Sequence, residues 1–149
     1  MESLSETLRH HQCIALHSNV LLYYFEAHPE FGPLSRAVMR EVADGLPAVT
    51  TVLTLMDALV MPVRLKNQEQ YDRHRSVLTN FPNLRVLPID QAAAERAAVL
   101  RARSPRLTTP DALTIAVGLN EGATLFVTND ARTVQSSEIK VLNLRDALL

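Results

Sequence analysis

The fold is constrained most by one stretch in the second half of the chain, LTTPDALTIAVGLNEGATLFVTND, which predicts a helix followed directly by a strand. Thr109 can cap the helix, Pro110 fits its first turn without an amide hydrogen, and Asp111 lies where the helix dipole favours negative charge. Gly122 predicts the end of the helix, and the strand pattern that follows ends at Asp130. A helix of about twelve residues covers about 18 Å and a strand of about six residues returns about 20 Å. We therefore expect Asp111 and Asp130 to meet at one edge of a sheet.

The rest of the chain alternates four further strand patterns, CIALH, LPAVT, LRVLPI and EIKVLNL, with helical segments. Ser18 or Asn19 can cap the helix NVLLYYFEAH, and Thr51 can cap the helix VLTLMDALV, which Pro62 is expected to end. Strands that alternate with helices favour an α/β fold in which a parallel sheet is covered by helices on both faces.

The composition is that of one globular domain without a general affinity for nucleic acid. The chain has 149 residues and a formal net charge of −1, so a nucleic-acid site would have to be local. There is no apolar run of membrane-spanning length, and the polar beginning of the chain does not resemble a signal peptide, which predicts a cytoplasmic protein. We expect residues 1–12 to be a polar lead-in with at most a turn of helix at Leu4 and Leu8, and residues 13–149 to form a single domain.

Four titratable side chains are predicted at the carboxyl edge of this sheet, where α/β proteins bind ligands. His17 ends the first strand pattern, Asp57 lies in the helix after the second, and Asp111 and Asp130 flank the fourth. Gathered carboxylates need a cation, and their oxygen atoms favour Mg²⁺ or Mn²⁺, which can activate water against a phosphodiester. Taken singly, Asp111 and Asp130 are also ordinary helix-start and turn residues.

The segments ALHSNVLLYYFE, TTVLTLMDALVMPVR, LTTPDALTIA and LFVTND resemble, in this order, the motifs of the PIN domain, and especially those of the VapC-type toxin ribonucleases. The resemblance covers residues 13–141. It implies a three-layer fold with a five-stranded parallel sheet in the order 3-2-1-4-5, hydrolysis of RNA with Mg²⁺ or Mn²⁺, homodimers and an antitoxin partner. The residues that it assigns to the metal site or its support are Asp57, Asp111, Asp130, Ser18, Asn19, Thr128 and Asn129.

The chain departs from the family pattern at two positions. His17 stands where the family has an aspartate, and Asp57 stands where the family usually has a longer glutamate. Either the imidazole is a metal ligand, which shifts the preference towards Mn²⁺, Co²⁺, Ni²⁺ or Zn²⁺, or its charged form pairs with Asp111 or Asp130 and takes the place of the metal. The sequence thus predicts a ribonuclease with an altered and weakened site, or a catalytically silent module that binds RNA or protein.

Weaker candidates complete the sequence prediction. Arg101, Arg103 and Arg106 precede the helix of Asp111 and could guide RNA phosphates, although a solvated helix end would look the same. A phosphoacceptor receiver domain is disfavoured, because Asp57 lies in a helix and Lys140 in the middle of a strand.

Overall fold

The computed structural model describes residues 1–130 and 138–149, and a parallel sheet lies at its centre. Its strands are β1 (Ile14–Leu16), β2 (Ala48–Thr51), β3 (Leu84–Leu87), β4 (Leu125–Thr128) and β5 (Lys140–Asn143). They are hydrogen-bonded in the order β3-β2-β1-β4-β5, and all four neighbouring pairs are parallel. The predicted strand order is therefore confirmed.

Helices connect the strands and cover the sheet. In the described residues they are α1 (Leu4–Arg9), α2 (Ser18–Glu26), α3 (Gly32–Ala43), α4 (Val52–Arg64), α5 (Gln68–Asn80), α6 (Gln91–Arg103), α7 (Thr109–Asn120) and a short 3-10 helix (Leu144–Asp146). None of these helices is both long and apolar enough to cross a bilayer.

The hydrophobic core is divided by the sheet, because successive side chains of a strand point to opposite faces. Ile14 and Leu16 of β1 pack with the buried residues of α1, α2 and α3, whereas Ala15 packs with those of α6 and α7. Phe126 of β4 is fully buried on the second face. The three-layer arrangement that the sequence predicted is therefore present.

Helix α7 begins one residue earlier than the capping pattern suggested. Thr108, not Thr109, is the capping residue, and its hydroxyl accepts a hydrogen bond from the amide of Asp111 at 3.4 Å. Both threonines have a hydroxyl of suitable length, so the sequence alone did not distinguish them. Gly122 follows the helix with a φ of 88°, a conformation that residues with a side chain rarely adopt.

Two other boundaries differ from the prediction for physical reasons. The amino-terminal lead-in is an ordered helix, α1, because Leu4 and Leu8 are buried in the core and Ser3 forms a capping box with Glu6. Pro62 does not end α4, which continues to Arg64.

Helix α7 lies unusually close to the central strand at Gly118. A Cβ atom at this position would lie 2.7 Å from the Cβ of Ala15 in β1, which is less than any normal contact. This close approach fixes how far α7, and with it Asp111 at its start, can lie from the sheet.

We predict that Gly118→Ala lowers the free energy of unfolding by about 1–2 kcal/mol, because overpacking outweighs the better helix propensity of alanine. Chemical denaturation of the two proteins measures the difference. Asn120→Ala, at an exposed position of the same helix, is the control and should change stability by less than about 0.5 kcal/mol. A Gly118→Ala protein as stable as its parent would contradict the close packing.

Candidate functional site

The candidate site lies where β1 and β4 end side by side. Their parallel pairing aligns Leu16 with Val127, so the residues that follow both strands emerge at the same edge of the sheet. His17 follows β1 directly, and Asp130 follows β4 after one intervening residue. Strands β2 and β3 continue the sheet beyond β1, and β5 continues it beyond β4. In α/β folds the ligand crevice forms at the edge of the sheet where the strand order reverses in this way.

His17 and Asp111 are in direct contact at this edge. The Nε2 atom of His17 lies 2.6 Å from Oδ1 of Asp111, and the two side chains are only 16% and 8% exposed. The first turn of α7 thus brings its carboxylate to the end of β1. The segment lengths predicted a meeting of Asp111 with Asp130 at this edge, and the side chain that Asp111 contacts is His17.

The imidazole of His17 is held in place by its surroundings. Its own amide donates to the carbonyl of Val127 at 3.0 Å, which continues the hydrogen bonding of β1 and β4 by one residue. The ring meets Phe126 edge to face at 5.7 Å between centroids, and its Nδ1 accepts a hydrogen bond from the backbone amide of Asn19 at 3.4 Å. His17 also occupies the capping position of α2, which the sequence assigned to Ser18 or Asn19.

The charge of His17 is set by opposing effects. Burial by itself lowers the pKa of His17, but the hydrogen bond and charge of Asp111 raise it, as do the Asn19 side chain and the charge of Asp130. The net result is a pKa above the ordinary value of 6.5. Protonation of the ring is therefore favoured up to a higher pH than in an isolated histidine, and it replaces the hydrogen bond that Nδ1 accepts from the Asn19 amide.

Thr128 organises the polar groups behind this pair. Its hydroxyl oxygen is fully buried and accepts hydrogen bonds from the amide of Asp130 at 3.2 Å and from Nδ2 of Asn19 at 3.4 Å. Oδ1 of Asn19 is buried and has no hydrogen-bond partner among the described residues.

Asn129 links this edge to the carboxyl-terminal part of the chain. Its Oδ1 accepts from the amide of Arg145 at 2.9 Å, and its carbonyl accepts from the guanidinium of Arg145 at 3.1 Å. Nδ2 of Asn129 lies 3.4 Å from the hydroxyl of Tyr23. The sequence prediction missed Arg145 and Tyr23, because no periodic pattern connects residues so distant along the chain.

Asp57 lines a groove between helices α2, α4 and α5. It is half-buried on α4 and lines a groove of about 450 Å³ together with residues of α2 and α5, among them Phe25, Glu26 and His74. None of His17, Asp111 and Asp130 lines this groove. The buried side of α4 is formed by Thr54, Ala58 and Pro62, so the direction of Asp57 follows from how the helix packs.

The donor set does not fit a resident divalent cation. Across residues 1–130 and 138–149, no three histidine, cysteine, aspartate or glutamate side chains are grouped closely enough to hold a metal ion. One oxygen of Asp111 is already bonded to Nε2 of His17, and a ring nitrogen that donates its proton to this carboxylate has no lone pair to offer a cation. The expectation that four side chains share one crevice therefore holds for His17 and Asp111, which touch, but the structure does not bring Asp57 to them.

Two of the three candidate arginines have partners within the protein. The guanidinium of Arg101 donates to the carbonyl of Leu107 at 3.1 Å, and Arg103 forms an ion pair with Glu138. Arg106 is exposed, and its side chain has no hydrogen bond or ion pair with another described residue. A role of these arginines in guiding phosphates stays a prediction.

We predict that the stabilisation provided by His17 decreases as the pH rises. A group whose pKa is raised in the folded protein contributes its full stabilisation below its unfolded pKa, near 6.5, and loses it as the pH rises through the folded pKa. Denaturant unfolding between about pH 5.5 and 9 should give a parent that is more stable relative to His17→Gln at low pH than at high pH. The other histidines are common to both proteins and cancel, so a difference independent of pH would contradict the raised pKa.

Comparison with known proteins identifies the fold and the family. The PIN domain family model matches residues 14–138. The VapBC2 complex of Rickettsia felis, bound to a DNA fragment from its promoter, contains a chain with 16% identity and a TM-score of 0.69, over 88% of this chain and 98% of that one. A toxin–antitoxin complex of Klebsiella pneumoniae gives 21% identity and a TM-score of 0.66, over 89% and 97%. FitAcB of Neisseria gonorrhoeae gives 17% identity and a TM-score of 0.66, over 89% and 99%.

At these identities the solved structures establish the fold, whereas the family model establishes membership. No curated protein matches the chain significantly in sequence. The matched segment begins at β1 and includes every residue of the candidate site from His17 to Asp130. This chain belongs to the PIN domain family.

Proposed function

We propose that this protein is a toxin-type PIN protein that acts by binding an antitoxin-like protein and has lost metal-dependent RNA hydrolysis. The observation that carries the proposal is the absence, in the described part of the chain, of any three side chains that could hold a metal ion together. A PIN nuclease needs such a group to activate water and to stabilise the leaving oxygen. Asp111, Asp130 and the imidazole of His17 do not form such a group of ligands.

The structural neighbours support a protein partner. The structures from Rickettsia felis and Klebsiella pneumoniae are toxin–antitoxin complexes, and they share the fold of this chain over almost their entire length. RNA is a poorer candidate, because the chain has a net charge of −1 and two of the three candidate arginines are engaged within the protein. Binding of a protein therefore requires fewer additional assumptions than binding of RNA.

A homodimer is the second part of the proposal, and α4 offers the contact surface. Val52, Met56 and Val63 are 40%, 55% and 61% exposed, and their spacing places them on one side of the helix. The opposite side, with Thr54 and Ala58, faces the interior. An outward apolar stripe of this kind is typical of a protein interface.

We predict that the parent protein does not cleave structured RNA with Mg²⁺ or Mn²⁺ and does not retard it in a gel. The matched variant restores both departures from the family pattern, His17→Asp with Asp57→Glu, and should gain cleavage that disappears when Asp111→Asn is added. Cleavage by the parent that Asp111→Asn abolishes would overturn the proposal in favour of a weakened ribonuclease. A gel shift without cleavage would overturn it in favour of an RNA-binding module.

We predict that Met56→Asp converts the parent from a dimer to a monomer, because a carboxylate in an apolar interface loses its hydration without gaining a partner. Light scattering after size exclusion measures the mass of both proteins. Val99→Asp places the same change at an exposed apolar residue of α6 and should leave the dimer intact. A monomeric parent, or a dimeric Met56→Asp protein, would exclude α4 as the contact surface.

A further inference from the structure

We infer that the side chain of His17 fills the place of the cation in this site, so that the fold of the crevice depends on an imidazole instead of a divalent ion. The inference rests on the proposed loss of the metal site and goes beyond it, because it names what neutralises Asp111. It also predicts that one substitution makes the stability of the protein depend on metal.

The buried carboxylate of Asp111 needs a partner. Its side chain is 8% exposed, and an ionised carboxylate so far from water is unfavourable unless a donor or a positive charge is close. The start of α7 provides part of this through the helix dipole. In the described residues the side chain that bonds to the carboxylate is His17, at 2.6 Å.

The imidazole of His17 is fixed in its position beside Asp111. The backbone of His17 is tied to Val127, the ring rests against Phe126, and Asn19 lies at its second nitrogen. A metal ion at the position that Nε2 of His17 occupies beside Asp111 would have to displace this ring from contacts on three sides. The hydrogen bond between His17 and Asp111 is therefore a permanent part of the folded structure. It is not exchanged for a bound ion.

The variant His17→Asp restores the aspartate that the family pattern has at this position. In His17→Asp, a second carboxylate faces Asp111 where the donor was, and the two negative charges repel each other. At a pH where both carboxyl groups are ionised, an added divalent cation relieves this repulsion, whereas at lower pH a shared proton does so. The variant should therefore show the dependence on a divalent ion that the parent lacks.

The experiment is thermal unfolding of three proteins in chelator and in millimolar Mn²⁺. The parent should have the same Tm in both. His17→Asp should unfold roughly 6–12 °C lower than the parent in chelator and regain most of this loss in Mn²⁺. His17→Asn, which removes the ring without adding charge, should unfold at a lower temperature than the parent and should not respond to Mn²⁺.

His10→Asp is the matched control for a nonspecific effect of the ion. His10 lies 3.1 Å from Glu2, so this variant also creates a pair of carboxylates, but both side chains are more than half exposed. Its Tm should be the same in chelator and in Mn²⁺, because water solvates both charges and no ion is needed to separate them. Any lowering of the Tm relative to the parent should be small and should arise from the new negative charge at the carboxyl end of α1.

Several outcomes would overturn the inference. One is a parent whose Tm rises by several degrees in Mn²⁺, and another is a His17→Asp protein as stable as the parent in chelator. If His17→Asp does not fold, calorimetric titration of the parent with Mn²⁺ decides, since binding tighter than about 100 μM would show an ion site that His17 does not fill. RNA cleavage by a parent that does not respond to Mn²⁺ would overturn the proposed function and leave this inference standing.

Discussion

The parallel pairing of β1 with β4 is the constraint on which the site depends. The two strands are more than a hundred residues apart in the sequence, yet their pairing aligns Leu16 with Val127 and makes both strands end at one edge. Helix α7 runs back along the sheet, and its close contact at Gly118 sets its distance from β1. As a result the first turn of α7 delivers Asp111 to the residue that follows β1. Any change in this register would move the carboxylate away from His17.

The site also illustrates two ways to neutralise a buried carboxylate. A divalent ion brings two positive charges but requires several ligands, which must be held together although they repel one another. An imidazole brings at most one charge and one directed hydrogen bond, and it requires a single well-placed acceptor. The second solution needs no group of acidic residues. The remaining carboxylates therefore need not be ligands of one ion. Without the ion, however, the site also lacks the metal that would activate a water molecule.

The sequence predicted the fold well, because hydrophobic periodicity and capping residues are local signals. The two-faced parallel sheet follows from strands that alternate with helices, and the approach of Asp111 to the sheet edge follows from segment lengths. The order of the strands was implied by the resemblance to the PIN domain and not by these local patterns. Details that depend on packing were not predictable in this way. Leu4 and Leu8 gave little sign, within a polar segment, that they are core residues. The contacts between Asn129 and Arg145 join segments that no local pattern relates.

Asp57 marks the limit of sequence prediction within the site. Its place in α4 was predicted, but its direction depends on the rotation of that helix, which is set by Thr54, Ala58 and Pro62. Asp57 therefore lines the groove beside α2 and α5, and it is one methylene shorter than the glutamate of the family pattern. Asn19 and Thr128, by contrast, lie at the start of α2 and the end of β4 and are joined by a hydrogen bond. Helix starts and strand ends are local features of a sequence, whereas the direction of Asp57 depends on how a whole helix packs against the rest of the fold.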